Sequence, residues 1–269
     1  MLWKFINFLK MLYMSRYMIR TMALRELRSH YVGSLFGLLW AVIYPLTQVA
    51  IYSVVFGIFF KSKPPPNYGT DSFFLYLLCG LIPWQFFAQT VSAMSNVIVS
   101  NKNLIKKAVG FPVEILPIVT VISQVLSHLI SVGLLLVILI VVKGNITLST
   151  PIIFLYLFFI SIFTVGLGWI LASMNVYLRD TQHILGLIMM AWLYLTPIFY
   201  PYTIIPSKLL MIFKLNPMYH VVSGYRYSLL VGGLPLGWGF LYLAVISVVT
   251  FSLGGIFFRR LKLGFAEVF

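Results

Sequence analysis

The sequence predicts an all-α integral membrane protein with six transmembrane helices, an N-terminal amphipathic interface helix and a re-entrant helix pair. Hydrophobic residues make up 61% of the chain, charged residues only 9%, and the mean hydropathy is +1.01. Soluble domains usually carry about 25% charged residues. Long apolar stretches also recur along the 269 residues, separated by charged or turn-forming residues. This length has room for about six crossings and short loops, and for no sizeable soluble domain.

The N-terminal segment, residues 1–22, alternates apolar and cationic positions. Its polar positions recur at helical spacing beside aromatic and methionine residues: Lys4, Asn7, Lys10, Arg16 and Arg20. The apolar run is interrupted and no small-residue cleavage site follows it, which argues against a cleaved signal peptide. The pattern favours a helix that lies in the membrane interface. A disordered basic terminus is the alternative.

Six apolar stretches follow, and we interpret them as the spans: 32–60, 73–99, 113–142, 152–178, 183–200 and 238–258. Most are long enough to cross about 30 Å of hydrocarbon, and the fifth is near the minimum. If the N-terminus is cytoplasmic, the inside segments hold 13 of the 19 Lys and Arg residues and the outside segments hold 6. This positive-inside bias predicts that both termini are cytoplasmic.

The segment between the fifth and sixth spans is unusually apolar for a loop. Prolines and glycines divide it into two pieces, 205–215 and 217–231, each too short for an ordinary crossing. An external loop of this composition would expose a large apolar patch to water. The sequence therefore favours a re-entrant helix pair over 203–231, with its turn protected by protein. Two helices on the outer surface are the alternative.

No catalytic or metal-binding pattern stands out in the sequence. It contains no P-loop pattern, no His, Cys and Asp cluster at ligand spacing, and no carboxylate pair suited to acid–base chemistry. The net charge of +14 is explained by topology, since basic residues hold cytoplasmic loops against anionic lipid. His128 is the main ionisable residue within a span, and a helix–helix hydrogen bond is its ordinary interpretation. An energy source on another polypeptide is therefore expected.

The first span shows two faces with a period of four residues. One is a small-residue face that favours close helix packing: Gly33, Gly37 and Ala41. The other is a stripe of aromatic and amide side chains: Trp40, Tyr44, Gln48, Tyr52 and Phe56. Aromatic rings with polar edges suit sugar rings, and they equally suit plain packing and interfacial belts.

Two predicted cytoplasmic segments carry charged residues. In the loop 100–114, Lys102, Lys106 and Lys107 are either topological anchors or part of a short helix presented to a cytosolic partner. Arg179 and Asp180 form a candidate ion pair at a helix end, a type of pair that contributes little stability when exposed.

Four segments resemble blocks of one known family. They are RELRSHYVGSLFGLLWAVIYPLTQVAIYSVVFGIFF from residue 25, NVYLRDTQHI at 175–184, LTPIFYP at 195–201 and LNPMYHVVSGYR at 215–226. In this order and spacing they resemble type-2 ABC exporter permeases of the polysaccharide and O-antigen family, which includes capsule and wall teichoic acid permeases. The likeness runs from about residue 20 to residue 262.

The resemblance implies a homodimer of six-span subunits in the bacterial inner membrane, each docked on a separately encoded ATPase that binds ATP and magnesium. It implies no cofactor on this chain, and export of a lipid-linked polysaccharide such as an undecaprenyl-diphosphate-linked O antigen. A channel between the two copies would be lined by first- and fifth-span residues. The implied glycan-path residues are Trp40, Tyr44, Gln48, Tyr52, Trp192 and Tyr200.

The resemblance also implies two gates. The cytoplasmic gate and coupling region would comprise Lys102, Lys106, Lys107, Phe111, Arg179 and Asp180. The outer gate would lie in 203–231 and include Pro206, Pro217, Tyr219 and Arg226. Two rival functions remain at this point. One is a drug or small-lipid exporter, and the other is a membrane glycan enzyme with Glu114 as its carboxylate.

Overall fold

A computed structural model describes residues 8, 10–29, 35–107 and 111–268. All regular elements among these residues are helical. The main helices are α1 (Arg16–Ser29), α2 (Trp40–Tyr52), α3 (Phe73–Ser100), α4 (Lys102–Lys107), α5 (Ile115–Lys143), α6 (Ile152–Tyr177), α7 (Thr181–Tyr194), α8 (Ser207–Lys214), α9 (Pro217–Arg226), α10 (Trp238–Leu261) and α11 (Phe265–Val268). Two of them continue as wider π-helical turns, α2 over Ser53–Phe59 and α9 over Tyr227–Val231.

Five helical segments of the described chain are long and apolar enough to cross a membrane: Trp40–Phe59, Phe73–Ser100, Ile115–Lys143, Ile152–Tyr177 and Trp238–Gly264. They match the first four predicted spans and the sixth. The predicted class, an all-α membrane protein, is confirmed. The predicted first span began at residue 32, and residues 32–34 lie outside the described residues.

The fifth predicted span, 183–200, differs from the structure. Its helix α7 covers Thr181–Tyr194, which is 14 residues or about 21 Å, and the chain then runs irregularly to Pro201. Pro197 explains where the helix stops, because the residue before a proline is disfavoured in the α conformation. The count of six crossings therefore stays a prediction.

α3 is the central helix of the bundle. It packs against α2, α5, α6, α7 and α9, and 83% of its most apolar window is buried. α10 lies along α6, and their backbones approach closely at two glycines. A Cβ added at Gly166 would lie 2.4 Å from the carbonyl oxygen of Thr250, and one at Gly254 would lie 2.1 Å from that of Gly166.

Among the described residues, the small-residue face predicted for the first span packs closely only at Ala41. Gly33 lies outside the described residues, and a Cβ at Gly37 would meet no described atom within 4 Å. Gly37 has a φ of +52°, so a tight turn before α2 explains the glycine. Ala41 is buried, and its carbonyl accepts a hydrogen bond from Ser131 Oγ at 3.1 Å.

The predicted N-terminal interface helix lies partly outside the described residues, since residues 1–7 and 9 are not described. Its C-terminal part continues into α1. Ile19 and Ala23 on α1 are buried against Ile115 and Val119 of α5. The opposite face leaves Tyr17 80% exposed. α1 is therefore amphipathic, with its apolar side fixed to the third predicted span.

Candidate functional site

A cleft of about 400 Å³ opens between α2, α3 and α5. Trp40 and Tyr44 of the predicted glycan path form its α2 wall. Their side chains are 41% and 48% exposed, so both rings are available to an occupant. They project from adjacent turns of one helix face because residues four apart lie one above the other.

The amide of Gln48 connects the α2 wall to α3. Its Nε2 donates a hydrogen bond to Tyr44 Oη at 3.1 Å. Its Oε1 accepts one from Gln85 Nε2 at 2.7 Å. Gln85 and Gln89 lie one turn apart on α3 and both line the cleft. This arrangement fixes the orientation of two amides and one phenol at the same edge.

The α5 wall is also polar. Gln124, Ser127, His128 and Ser131 share one helix face and line the cleft. His128 is buried, and its Nε2 lies 2.9 Å from Tyr225 Oη on α9. The helix–helix hydrogen bond predicted for this histidine is confirmed.

The chemistry of the cleft is polar and uncharged. None of the described residues that line it is a lysine, arginine, aspartate or glutamate. Amides and hydroxyls offer both donors and acceptors, and the aromatic rings offer apolar faces. Such a site suits an uncharged ligand rich in hydroxyl groups, and it lacks the cations that bind phosphate tightly.

Five polar cleft residues were not predicted from the sequence: Gln85, Gln89, Gln124, Ser127 and Ser131. Their signal was present, since the two amides of α3 are four residues apart and the polar residues of α5 recur with helical period from Gln124 to Ser131. Within an apolar span, polar residues that share a face indicate a protein-lined or water-lined surface.

The other predicted path residues lie around the irregular segment after α7. The ring of Tyr52 contacts that of Phe199, with centroids 4.6 Å apart. Trp192 Nε1 donates to Asn216 Oδ1 at 2.7 Å. Tyr200 Oη donates to the Tyr194 carbonyl at 2.6 Å. These contacts tie the three predicted path residues, Tyr52, Trp192 and Tyr200, into the fold.

Arg226, predicted at the outer gate, is only 2% exposed. Its two Nη atoms donate to the carbonyl oxygens of Pro197 and Ile198, each at 2.7 Å. Its Nε donates to the Tyr76 carbonyl at 3.2 Å. A buried guanidinium thus satisfies carbonyls that the broken helix leaves without a partner.

Asn216 holds the same segment from the other side. Its Nδ2 donates to Thr196 Oγ1 at 2.9 Å and to the Leu195 carbonyl at 3.3 Å. Its Oδ1 caps α9 by accepting from the Met218 backbone N–H at 2.9 Å. Asn216 and Arg226 together define the segment bracket, the pair of side chains that hold residues 195–198.

The remaining outer-gate candidates lie at helix ends. Pro206 precedes α8 and is exposed, whereas Pro217 is the first residue of α9 and is buried. Tyr219 is half-buried. α8 exposes much apolar surface, including Met211 at 75%, while α9 lies in the core.

Of the predicted coupling residues that the structure describes, four are exposed and Phe111 packs against the fold. Lys102 and Lys106 are exposed on α4, and the side chain of Lys107 and residues 108–110 lie outside the described residues. Phe111 packs beside α1 and α5. Arg179 and Asp180 are exposed between α6 and α7, and the structure, where it describes the chain, shows no salt bridge between them.

Glu114, the carboxylate considered for catalysis, is engaged in the fold. It is 8% exposed and forms a salt bridge with Lys262. Its backbone carbonyl accepts a hydrogen bond from Trp169 Nε1 at 3.2 Å. These contacts join the start of α5 to α6 and to the end of α10.

Comparison with known proteins agrees with this architecture. Residues 17–230 match the family model described as ABC-2 type transporter. An O-antigen export system permease protein RfbA of Myxococcus xanthus is 29% identical over 265 residues, which cover 97% of this chain and 99% of that protein. A Klebsiella pneumoniae protein of the same name is 30% identical, covering 91% and 92%. The polysialic acid transport protein KpsM of Escherichia coli is 26% identical, covering 90% and 92%. The chain therefore belongs to the ABC-2 type transporter family.

Proposed function

We propose that this chain is the membrane subunit of an ATP-driven exporter that moves a lipid-linked polysaccharide across the bacterial inner membrane. The cargo is an undecaprenyl-diphosphate-linked O antigen. The observation that carries this proposal is the uncharged, amide- and hydroxyl-lined cleft with Trp40 and Tyr44 on its wall. Its chemistry suits sugar hydroxyls, and relatives covering most of the chain carry the O-antigen export name.

Family membership makes the chain the membrane component of an ABC transporter, whose ATP hydrolysis belongs to a partner ATPase. In the proposed assembly two copies of the chain bind two ATPase subunits, which hold the ATP and magnesium. Both termini are cytoplasmic. α7 with the segment after it serves as the fifth of six crossings, and 203–231 enters from the outer side as the gate pair.

The segment bracket supports this re-entrant arrangement. In hydrocarbon, backbone groups outside regular helices must find partners in the protein. Arg226 and Asn216 provide such partners for the carbonyls of residues 195, 197 and 198. Irregular backbone whose carbonyls are hydrogen-bonded in this way can lie within the membrane. A loop exposed to water would not need a buried arginine for this purpose.

In the proposed cycle the ATPase moves α4 and the adjoining loop. Leu104 and Ile105 of α4 pack against the same apolar cluster as Phe111, and Phe111 also packs beside α1. Movement of α4 is thereby passed to α1 and α5. α2 and α7 of the two copies then separate, and the sugar chain passes along the cleft.

Trp40→Ala combined with Tyr44→Ala tests the proposal in cells that lack the chromosomal copy. We expect loss of surface O antigen, accumulation of lipid-linked glycan inside the cell, and unchanged copurification of the ATPase. Trp238→Ala is the matched control, because Trp238 is 87% exposed and lies away from the cleft. Normal surface glycan in cells that lack the gene would refute the function. Normal glycan in the double variant alone would remove the two aromatic residues from the path.

Capsule export is the second candidate, because relatives at 26% identity carry the polysialic acid transport name. Teichoic acid export belongs to the same group of cargoes. Analysis of lipopolysaccharide and of capsule after gene deletion separates the O-antigen cargo from the capsule cargo. Loss of the lipopolysaccharide ladder with retained capsule supports the O-antigen cargo, and the reverse result supports the capsule.

A further inference from the structure

A stripe of four polar residues runs along α3: Gln85, Gln89, Ser92 and Asn96. At 3.6 residues per turn their side chains fall within an arc of about 60°. Gln85 and Gln89 line the cleft. Ser92 and Asn96 continue the same face over the next two turns, toward α4. We call these four residues the α3 stripe.

The burial of α3 makes this face unusual. Among the five candidate spans, α3 has the largest buried share, yet Gln89 and Ser92 are exposed and Asn96 is half-buried. A helix face in contact with lipid is apolar, as on α10, where Val245 and Val248 are 56% and 53% exposed. The open surface of α3 in this half is polar, so contact with lipid would leave amide and hydroxyl groups unsatisfied.

The middle of the α3 stripe has unused hydrogen-bonding capacity. Gln85 is bonded to Gln48, and Asn96 Oδ1 accepts from Asn175 Nδ2 at 3.4 Å. The side chains of Gln89 and Ser92 have no hydrogen-bond partner among the described residues. The amide of Gln89 and the hydroxyl of Ser92 are thus available to a ligand on this surface. They lie between Gln85 and Asn96, whose side chains are fixed by hydrogen bonds.

The chemistry of the stripe selects one class of occupant. It has no charged side chain, so it is poorly suited to a diphosphate, whose strong sites use arginine or lysine. Amides that offer both donors and acceptors match vicinal sugar hydroxyls. We propose that the α3 stripe binds the hydroxyl groups of sugar units on their way from the α4 end to the cleft. This inference rests on the proposed function and extends the glycan path to the second span.

Site-specific photocrosslinking tests the inference in membranes that contain the whole exporter. Ser92→p-benzoylphenylalanine is compared with Ser252→p-benzoylphenylalanine, because Ser252 is an exposed serine on α10, away from the stripe. On irradiation we expect an adduct from position 92 that a periodate-based glycan stain detects, and no such adduct from position 252. The adduct must disappear in cells that lack the first glycosyltransferase of the polymer. An adduct at position 92 with lipid or with a second copy of the chain, and none with glycan, would overturn the inference.

A transport measurement complements the crosslink. Gln89→Leu should slow the appearance of surface glycan roughly fivefold, the effect of losing one net hydrogen bond of ordinary strength. Ser252→Leu is the control, because Ser252 is an exposed polar residue on α10, outside the stripe and the proposed path. If export depends on the gene but position 92 gives no glycan adduct and Gln89→Leu exports normally, only the stripe inference fails. If export does not depend on the gene, the proposed function fails.

Discussion

The guanidinium carbon of Arg226 lies 3.5 Å from the centroid of the Tyr76 ring, and Arg226 Nε donates to the carbonyl of the same tyrosine. No salt bridge to Arg226 is found in the described part of the chain. Its charge is therefore balanced by three backbone carbonyls and one aromatic face. This arrangement joins α3, the end of α9 and the irregular segment after α7.

Arg226→Lys should destabilise the protein by about 2–4 kcal/mol, because a lysine lacks the planar fork that reaches separate carbonyls and stacks on the ring. We expect the fraction of monodisperse protein in detergent to fall at a lower temperature, as measured by size-exclusion chromatography after heating. Gly80→Ala should act in the same direction, since a Cβ at Gly80 would lie 2.8 Å from Arg226 Nη2.

Arg260→Lys is the control for this prediction, because Arg260 is exposed at the end of α10. Exposed substitutions of this kind usually change stability by less than about 0.5 kcal/mol. An equal shift in Arg226→Lys and Arg260→Lys would contradict the role assigned to Arg226.

Trp192→Phe isolates one bond of the segment bracket, since it removes the indole N–H that donates to Asn216 and keeps an aromatic ring against Phe87. We expect a loss of about 1 kcal/mol, typical of one hydrogen bond. Asn216→Ala should cost more, because it also leaves the Met218 N–H and the Thr196 hydroxyl without this partner. In the double variant the two losses should not add, since the bond is shared. Strict additivity of thermal shifts would show that the bond contributes nothing.

The helical class and the positions of five spans could be predicted from the sequence because long apolar runs have few alternatives in lipid. The two predicted faces of the first span show where such reasoning stops. The period of four indicated a shared face correctly for Trp40 and Tyr44, which line the cleft, and for Gln48, which donates a hydrogen bond to Tyr44. For Gly37 the same period suggested helix packing. Its positive φ shows instead that the glycine is needed for a turn. A period indicates a shared face and does not identify what that face contacts.

The cleft itself could be predicted only on its α2 side. Gln85 and Gln124 belong to different spans, and no local pattern states that these spans are neighbours. The role of Arg226 was hidden for the same reason, since its partners Pro197 and Tyr76 are 29 and 150 residues away in sequence. Polar residues that share a face within an apolar span were the sequence signal for a polar site between the helices.

Gly166→Ala should weaken the α6–α10 packing, because the added Cβ would lie 2.4 Å from a backbone carbonyl oxygen that cannot rotate away. We expect a loss of about 1–3 kcal/mol, the usual range for overpacking. Gly186→Ala is the control on α7, where a Cβ would meet no atom of the described residues within 4 Å. That change should be neutral or stabilising, since alanine favours a helix over glycine by about 1 kcal/mol. Melting curves of the purified variants in one detergent decide between these outcomes.

Glu114→Gln separates a structural role of this carboxylate from a catalytic one. The change breaks the salt bridge to Lys262, whose side chain is 35% exposed and can still be hydrated, so the loss should be about 1 kcal/mol. We expect normal amounts of cellular glycan and thermal stability slightly below that of the parent chain. Glu114→Lys combined with Lys262→Glu should recover stability relative to either single reversal, since the charges again attract. Lost synthesis of the glycan in the Glu114→Gln variant would instead favour a membrane enzyme, because amide replacement removes a proton donor or acceptor while it preserves shape.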